Sequence, residues 1–454
     1  MAAPVMDTST IPHPRWRVPL IGDVIGTSRR TPVQDTMRQG RDLGPIFTRR
    51  FLDREIVFIG GAHLTAELSD EKRFAKHLAL GVEELRVIGG DGLFTAYNEE
   101  PNWKAAHDVL MPAFTQSAMR AYHPAMVDVV GELVGKWDRG GVVDVSADMT
   151  NLTLETIGRV GFGYPFDSFR REQAHPFVRA MIGSLRHAQR KSFQFPLAAK
   201  LFGRAAESRY RADVAYLAEV VDEVIRARVA SGPSTDRPDL LDLMLASGAL
   251  DEVNVRNQVI TFLIAGHETT SGALSFALYY LSRNPAVVEK ARAEIDAVWG
   301  DVEAPAFEQV TKLRYVRRIL DEALRLWPTA PGYAREARVD TVLDSRYPMR
   351  AGQWALVLLP LVHRDPTVWP EPERFDPDRF APEAVRARAG HVYKPFGTGE
   401  RACIGRQFAL HEATLALGAV LRRYELTPDP EYRLRVVEML TLKPEGFRLT
   451  VRRR

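Results

Sequence analysis

One cysteine, Cys403, is the whole thiol supply of 454 residues. No internal disulfide can form, so the chain neither needs nor reveals an oxidising compartment, and a reduced, cytoplasmic setting is the simplest reading. The same count excludes a tetrathiolate zinc or iron–sulfur centre. Long apolar runs are missing too. The best of them, "VITFLIAG", is broken by His267 and Glu268, far short of the roughly 18 residues that a membrane helix needs. The opening "MAAPVMDTSTIPHPRWRVPLIGDVIG" has no basic flank before an apolar stretch and reads as neither signal peptide nor membrane anchor. Charge of one sign is also lacking: 61 Lys and Arg face 58 Asp and Glu, a formal +3 that gives no ground for nucleic-acid binding despite the tail "VRRR". There is no internal repeat and no low-complexity segment.

What is present is an ordinary globular supply of hydrophobic residues, 45% of the chain. The first ninety residues mix turn dipeptides with short apolar stretches such as "REIVFIG" and predict strands of a small sheet. From about Asn102 to Pro285 the spacing is mainly helical, as in "NWKAAHDVLMPAF" and "AYHPAMVDVVGELVGKW". The stretch "DEVNVRNQVITFLIAGHETTSGALSFALYYLSRNP" predicts one helix of about 30 residues, apolar nearly all round and therefore central, stopped by Asn284 and Pro285. Beyond residue 330 the pattern turns strand-like and rich in proline, then helical again at "RQFALHEATLALGAVLRRYEL".

The lone cysteine stands in "FGTGERACIG", residues 396–405. By residue type alone it is a small buried hydrophobe. Its surroundings suit another use. A thiolate ligand requires stabilisation without protonation, which backbone N–H groups and a following helix provide, while Gly397, Gly399 and Gly405 let a flat cofactor approach the backbone closely. Without partners for a zinc or iron–sulfur site, and without C-x-x-C-H for covalent attachment, the reading that remains is haem with a proximal thiolate. Mid-helix, "AGHETT" places a glycine that costs about 1 kcal/mol relative to alanine, an acid and two hydroxyls. Thr269 and Thr270 there either bond back to carbonyls one turn earlier and bend the helix, or take part in chemistry. "WKAAH" sets Trp103 and His107 on one helix face, and "EALR" sets Glu322 and Arg325 at i, i+3, each equally readable as ordinary packing or surface pairing.

The cysteine segment resembles the haem-binding signature F-x-x-G-x-R-x-C-x-G of the cytochrome P450 monooxygenases at every fixed position, and the likeness covers nearly the whole chain. It is nearest to the haem domains of bacterial self-sufficient fatty-acid hydroxylases, through "GDGLFT", "ITFLIAGHETTSGALSFALYYL", "EALRLWPTAP", "ERACIGRQFALHEATL" and "LTLKPEGF". The resemblance implies a mainly α fold with a small β-rich region, the triangular P450 prism. It implies a single haem-binding domain over 1–454, with a β-rich part at about 1–90 and a helical part at about 91–454. It further implies haem b with Cys403 as axial iron ligand, Arg401 on a propionate, Phe396 packed near the sulfur and Gly397 in the same loop. Trp103, His107 and Lys76 are implied as further propionate contacts. Thr269 is implied to hold oxygen and a water while Glu268 relays protons, and Glu322, Arg325 and Arg379 of "FDPDRF" are implied as a buried structural network.

Two departures from those hydroxylases matter. No flavin or nicotinamide module follows in the sequence. Electrons from NAD(P)H are therefore expected through a separate flavin or iron–sulfur partner (reductase, ferredoxin or flavodoxin), with Lys104 and Arg406 as candidate contacts, or else the chain is a fragment lacking a C-terminal reductase. The second departure concerns substrate. Those hydroxylases hold a fatty-acid carboxylate with an arginine and a tyrosine; Arg54 keeps the first, but the second position is Phe58. Leu85, Ile88, Gly89, Phe94, Ala265 and Leu440 are expected along the substrate channel, with Phe94 over the haem and Gly89 widening the pocket. The reaction implied is insertion of one oxygen atom from O2 into a lipophilic substrate, most simply a medium- or long-chain fatty acid. The alternatives are a biosynthetic intermediate such as a polyketide or terpenoid, a peroxide-driven enzyme, and a haem-binding protein without turnover. Glu268 and Thr269 argue against the last two, neither of which needs a proton relay.

Overall fold

The computed structural model describes residues 8–454 apart from 29, 53, 80, 172, 193–203 and 234–237, so the first seven residues of the opening segment lie outside it. The chain forms two compact units, Met1–Leu80 with Asp321–Cys403, and Gly81–Leu320 with Ile404–Arg454.

The first unit is built on a five-stranded sheet in the order Ile46–Phe51, Arg54–Ile59, Trp354–Leu358, Gly332–Ala337 and Phe74–His77. Strands from beyond residue 330 thus supply its interior, so the β-rich region is not confined to the first ninety residues. "REIVFI" alternates as a strand must, but both of its faces are covered. Phe58 stacks on Phe47 with ring centroids 5.4 Å apart, in one core with Ile56, Leu358 and Leu361, while Val57 and Ile59 join Leu64, Phe74 and Val357 in the other. Phe74–His77 runs antiparallel to Gly332–Ala337 and places Lys76 opposite Arg335. Two helices in this stretch, Pro32–Leu43 and Ala62–Glu67, were not expected from the strand-like pattern. Pro32 at the first helical position was the available signal for one of them.

In the second unit the central helix spans Glu252–Leu281, 30 residues. The Asp251 carboxylate caps it by accepting from the Asn254 N–H at 2.7 Å, and Pro285 begins the next helix. The helix Val145–Phe162 lies against it, capped by Asp144 and ended by Gly163 at φ +58. Thr153 Oγ1 donates to the His267 carbonyl at 2.9 Å, and a Cβ on Gly266 would stand 3.0 Å from Ile157 Cγ1. Close helix approach is therefore one reason for the mid-helix glycine. A three-stranded sheet of Gly141–Asp144, Arg448–Arg453 and Tyr424–Pro428, and a hairpin of Val436–Glu438 with Leu442–Pro444, complete this unit.

Candidate functional site

The cysteine loop owes its shape to two glycines in the left-handed region, Gly397 at φ +73 and Gly399 at φ +69. The chain doubles back so that the Cys403 N–H donates to the Phe396 carbonyl at 2.8 Å, and the Ala402 N–H to Gly399 at 3.0 Å. Cys403 itself is exposed, and Phe396 and Arg401 are half-buried. Upstream, the Lys394 N–H donates to His363 Nε2 at 3.0 Å. His363 is completely buried, and burial together with Arg325 and Arg364 pushes it down to about 3, so it serves as a neutral acceptor.

Lys76 keeps part of its surface accessible, yet its ammonium is held well below its ordinary range, by burial and then by the charge of Arg401. Two cations brought together in this way favour an anion beside them. Behind the loop, Arg325 donates from Nε and Nη2 to the Glu322 carboxylate at 2.6 and 2.8 Å, and to the carbonyls of His363, Pro372 and Arg374 at 2.9, 2.8 and 3.1 Å. Both side chains are completely buried, and burial raises Glu322 against the pull of Arg325. Arg379 is the looser third member, its Nε 3.5 Å from Glu322 Oε1.

Trp103 and His107 stack with centroids 4.9 Å apart on the helix Pro101–Leu110. His107 Nδ1 is buried and makes no hydrogen bond, with Asp108 Oδ1 beyond reach at 3.7 Å. Lys104, the candidate contact for an electron donor, lies in the same helix and is ion-paired with Asp108.

In the central helix Thr269 Oγ1 donates to the Ala265 carbonyl at 3.0 Å, the back-bonded arrangement that threonines adopt in helices. Ala265 is nonetheless exposed and Thr269 partly so, in a helix buried on most sides. Glu268 is buried and turned toward Lys443, whose Nζ lies 3.8 Å from Oε2 and donates to the hydroxyls of Thr150 and Ser271. The structure therefore does not bring the Glu268 carboxylate and the Thr269 hydroxyl together: neighbouring residues in a helix point apart. Burial lowers Lys443, with Glu268 opposing. Sequence reasoning missed this lysine. A cation inside the short strand of "LTLKPEGF" was the signal.

Glu412, also missed, is completely buried in the helix Arg406–Arg423 with neither carboxylate oxygen hydrogen-bonded. Burial pushes it up to about 8, and its polar neighbour Thr156 has already given its proton to the Leu152 carbonyl. The folded protein thus holds this proton more tightly than the unfolded chain, whose carboxyl titrates near 4.5. The resulting stabilisation is complete below that value and is lost as pH rises to about 8, by up to about tenfold in the folding equilibrium per pH unit. Glu412→Gln, which cannot titrate, is expected to gain on the unsubstituted protein across this window in melting experiments. Parallel stability–pH curves would contradict the assignment.

Of the channel candidates, Arg54 is exposed at the head of its strand, whereas Phe58, four residues on, lies in the Phe47 core. Leu85 and Gly89 are buried, Ile88 and Leu440 half-buried, and Phe94 is 40% exposed. At Gly89 a Cβ would stand 3.3 and 3.5 Å from the Thr95 and Thr261 hydroxyls. The segment is tied to the central helix through Asp91, which accepts from Asn254 and Asn257 at 3.0 and 2.8 Å and from Asn102 at 2.6 Å.

Within the first unit, an exposed thiol on a glycine-turned loop and two cations fit for carboxylates suit an iron porphyrin; in the second, His107 Nδ1 is a buried ring nitrogen without a hydrogen bond. A thiol so placed is able to ligate the metal of a prosthetic group. The family model "Cytochrome P450" matches residues 12–451, and the chain belongs to that family. It is 44% identical over 98% of its length to "Bifunctional cytochrome P450/NADPH–P450 reductase 2" of Bacillus subtilis, and 44% identical over 98% to a bifunctional P450/reductase of Bacillus cereus. It is 39% identical over 96% to another of Fusarium oxysporum. The chain spans only 43, 42 and 42% of the length of these relatives. Among the described residues no helix is long and apolar enough to cross a membrane.

Proposed function

We propose that the chain binds haem b through Cys403 and hydroxylates a medium- or long-chain fatty acid in the cytoplasm, by R–H + O2 + 2 e⁻ + 2 H⁺ → R–OH + H2O. The observation that carries this reading is the exposed Cys403 on its fixed loop. Thiolate-bound haem, when present, supplies the activation of O2 and the transfer of its oxygen atom. Around it this chain's side chains bind, orient and supply protons. Arg401 and Lys76 provide positive charge for propionates, and Trp103 and His107 provide N–H donors. Thr269, its own proton given to Ala265, keeps acceptor capacity to hold a water near the exposed face of the helix. Glu268 and Lys443 form a buried acid–base pair from which protons can be replenished. The reductase named in the relatives supports electron delivery from NADPH through flavins, by a separate protein or by a longer chain.

Thr269→Ala is expected to leave substrate binding intact while lowering product formed per NADPH consumed with a surrogate reductase, because the water loses its partner. Unchanged coupling would leave Thr269 a purely structural, back-bonded residue. For the substrate class, the exposed Arg54 is the carboxylate anchor. Arg54→Ala is expected to weaken a fatty acid about tenfold, or about 1.4 kcal/mol, and to spare its methyl ester. Equal effects on both ligands would remove Arg54 from this role, and binding of neither by the unsubstituted protein would remove fatty acids as substrates.

A further inference from the structure

We propose that Glu71 is a positioning residue for the cysteine loop, fixing from outside the signature where Arg401 and Cys403 stand; this rests on the haem–thiolate reading above. Glu71 lies in the turn before Phe74–His77. One of its oxygens accepts from Arg335 Nη2 at 2.9 Å, and the other from the backbone N–H of Glu400 at 3.0 Å. Glu400 belongs to the single turn Gly399–Arg401, whose preceding residue Thr398 makes no side-chain cap. Such turns leave their first N–H groups without intrachain partners, and a carboxylate fills that need with a bond about twice as strong as a neutral one.

The fit is tight. A Cβ built on Gly399 would come within 1.9 Å of Glu71 Oε1, so this glycine is required both by its φ of +69 and by the carboxylate beside it. Glu71 is itself held. Arg335 is almost fully buried, donates to the carbonyls of Leu68 and Phe74 at 3.0 and 2.9 Å, and stands opposite Lys76 in the sheet. Arg338 Nε donates to the Glu71 carbonyl at 3.0 Å and places Nη2 3.8 Å from the Glu400 carboxylate. Through Glu71, then, the loop is fastened to the pair of strands that carries Lys76, so that the two cations keep their mutual spacing.

The test compares unsubstituted holoprotein with Glu71→Gln, Glu71→Ala and Gly399→Ala, following the reduced carbon monoxide complex with time. Loss of thiolate ligation appears as conversion of the long-wavelength Soret band to a shorter-wavelength one. Glu71→Ala is expected to convert about tenfold faster, as loss of one charge-assisted bond implies, whereas Glu71→Gln keeps an acceptor for Glu400 and stays within about twofold. Gly399→Ala drives its methyl into Glu71 and reproduces the acceleration. In the Glu71→Ala background it adds less than it does alone, because one of the colliding groups has gone. Should Glu71→Ala not accumulate, Glu71→Ser takes its place as a variant that also lacks the carboxylate: fast conversion beside near-normal Glu71→Gln supports the assignment, and a normal rate overturns it. Normal conversion in Glu71→Ala, equal conversion in Glu71→Ala and Glu71→Gln, or simple additivity in the double variant would each overturn it as well. Absence of the long-wavelength band from the unsubstituted protein would instead sink the haem–thiolate reading, and this proposal with it.

Discussion

Cys403→Ser is expected to abolish the long-wavelength Soret band of the reduced carbon monoxide complex and all monooxygenase turnover. The backbone of the loop would survive, since its shape rests on Gly397, Gly399 and the Cys403 N–H bond to Phe396, none of which involves the sulfur. What changes is the donor. A thiol with an ordinary pKa of about 8.5 is readily brought to the thiolate, whereas a serine hydroxyl stays protonated and is a poor, hard ligand for this iron. Haem content measured beside the spectrum separates loss of ligation from loss of cofactor. A serine variant that retained both haem and band would show that another residue holds the iron.

The second large effect concerns stability. Arg325→Met is expected to cost about 3–5 kcal/mol, a large share of the roughly 5–15 kcal/mol that holds a domain together, and to leave little soluble protein. The guanidinium, itself completely buried, makes two bonds to Glu322 and three to main-chain carbonyls. Its removal leaves a carboxylate that is already disfavoured by burial with only the Asp376 N–H and the looser Arg379 beside it. Glu322→Gln/Arg325→Met removes the stranded charge as well and should recover part of the loss, since a lone buried ion costs more than none. Urea midpoints of the single and double variants measure the difference. A single variant as stable as its parent would mean that the pair contributes nothing.

The parts of this architecture written in local chemistry were readable from the sequence. Asp251, the apolar run and Asn284–Pro285 delimit the central helix to within a few residues, because capping and proline act on their immediate neighbours. In the sequence the three glycines of the cysteine loop read as room for close approach of a cofactor; Gly397 and Gly399 take left-handed conformations, whereas Gly405 does not. The parts that were not readable depend on pairings between distant segments. Glu71 looks like any surface glutamate until folding brings it to Glu400, and Lys443 like any strand-end lysine until it meets Glu268. Phe58 shows the converse. Alternation placed it on a strand, but only the packing of Phe47 and Leu358 decides that its ring lies in a core.

For the electron donor proposed above, the Lys104–Asp108 pair changes what can be sensed on approach. Both side chains are more than half exposed, 66 and 57%, and their charges cancel within one helical turn. From beyond a screening length of about 8 Å such a pair presents a dipole, whose field fades with distance faster than that of a single cation. Charge reversal at position 104 would therefore do two things at once: it would remove a cation and create a like-charged couple with Asp108. Neutralising both residues together, in Lys104→Gln/Asp108→Asn, is the substitution that isolates long-range steering from local helix repulsion.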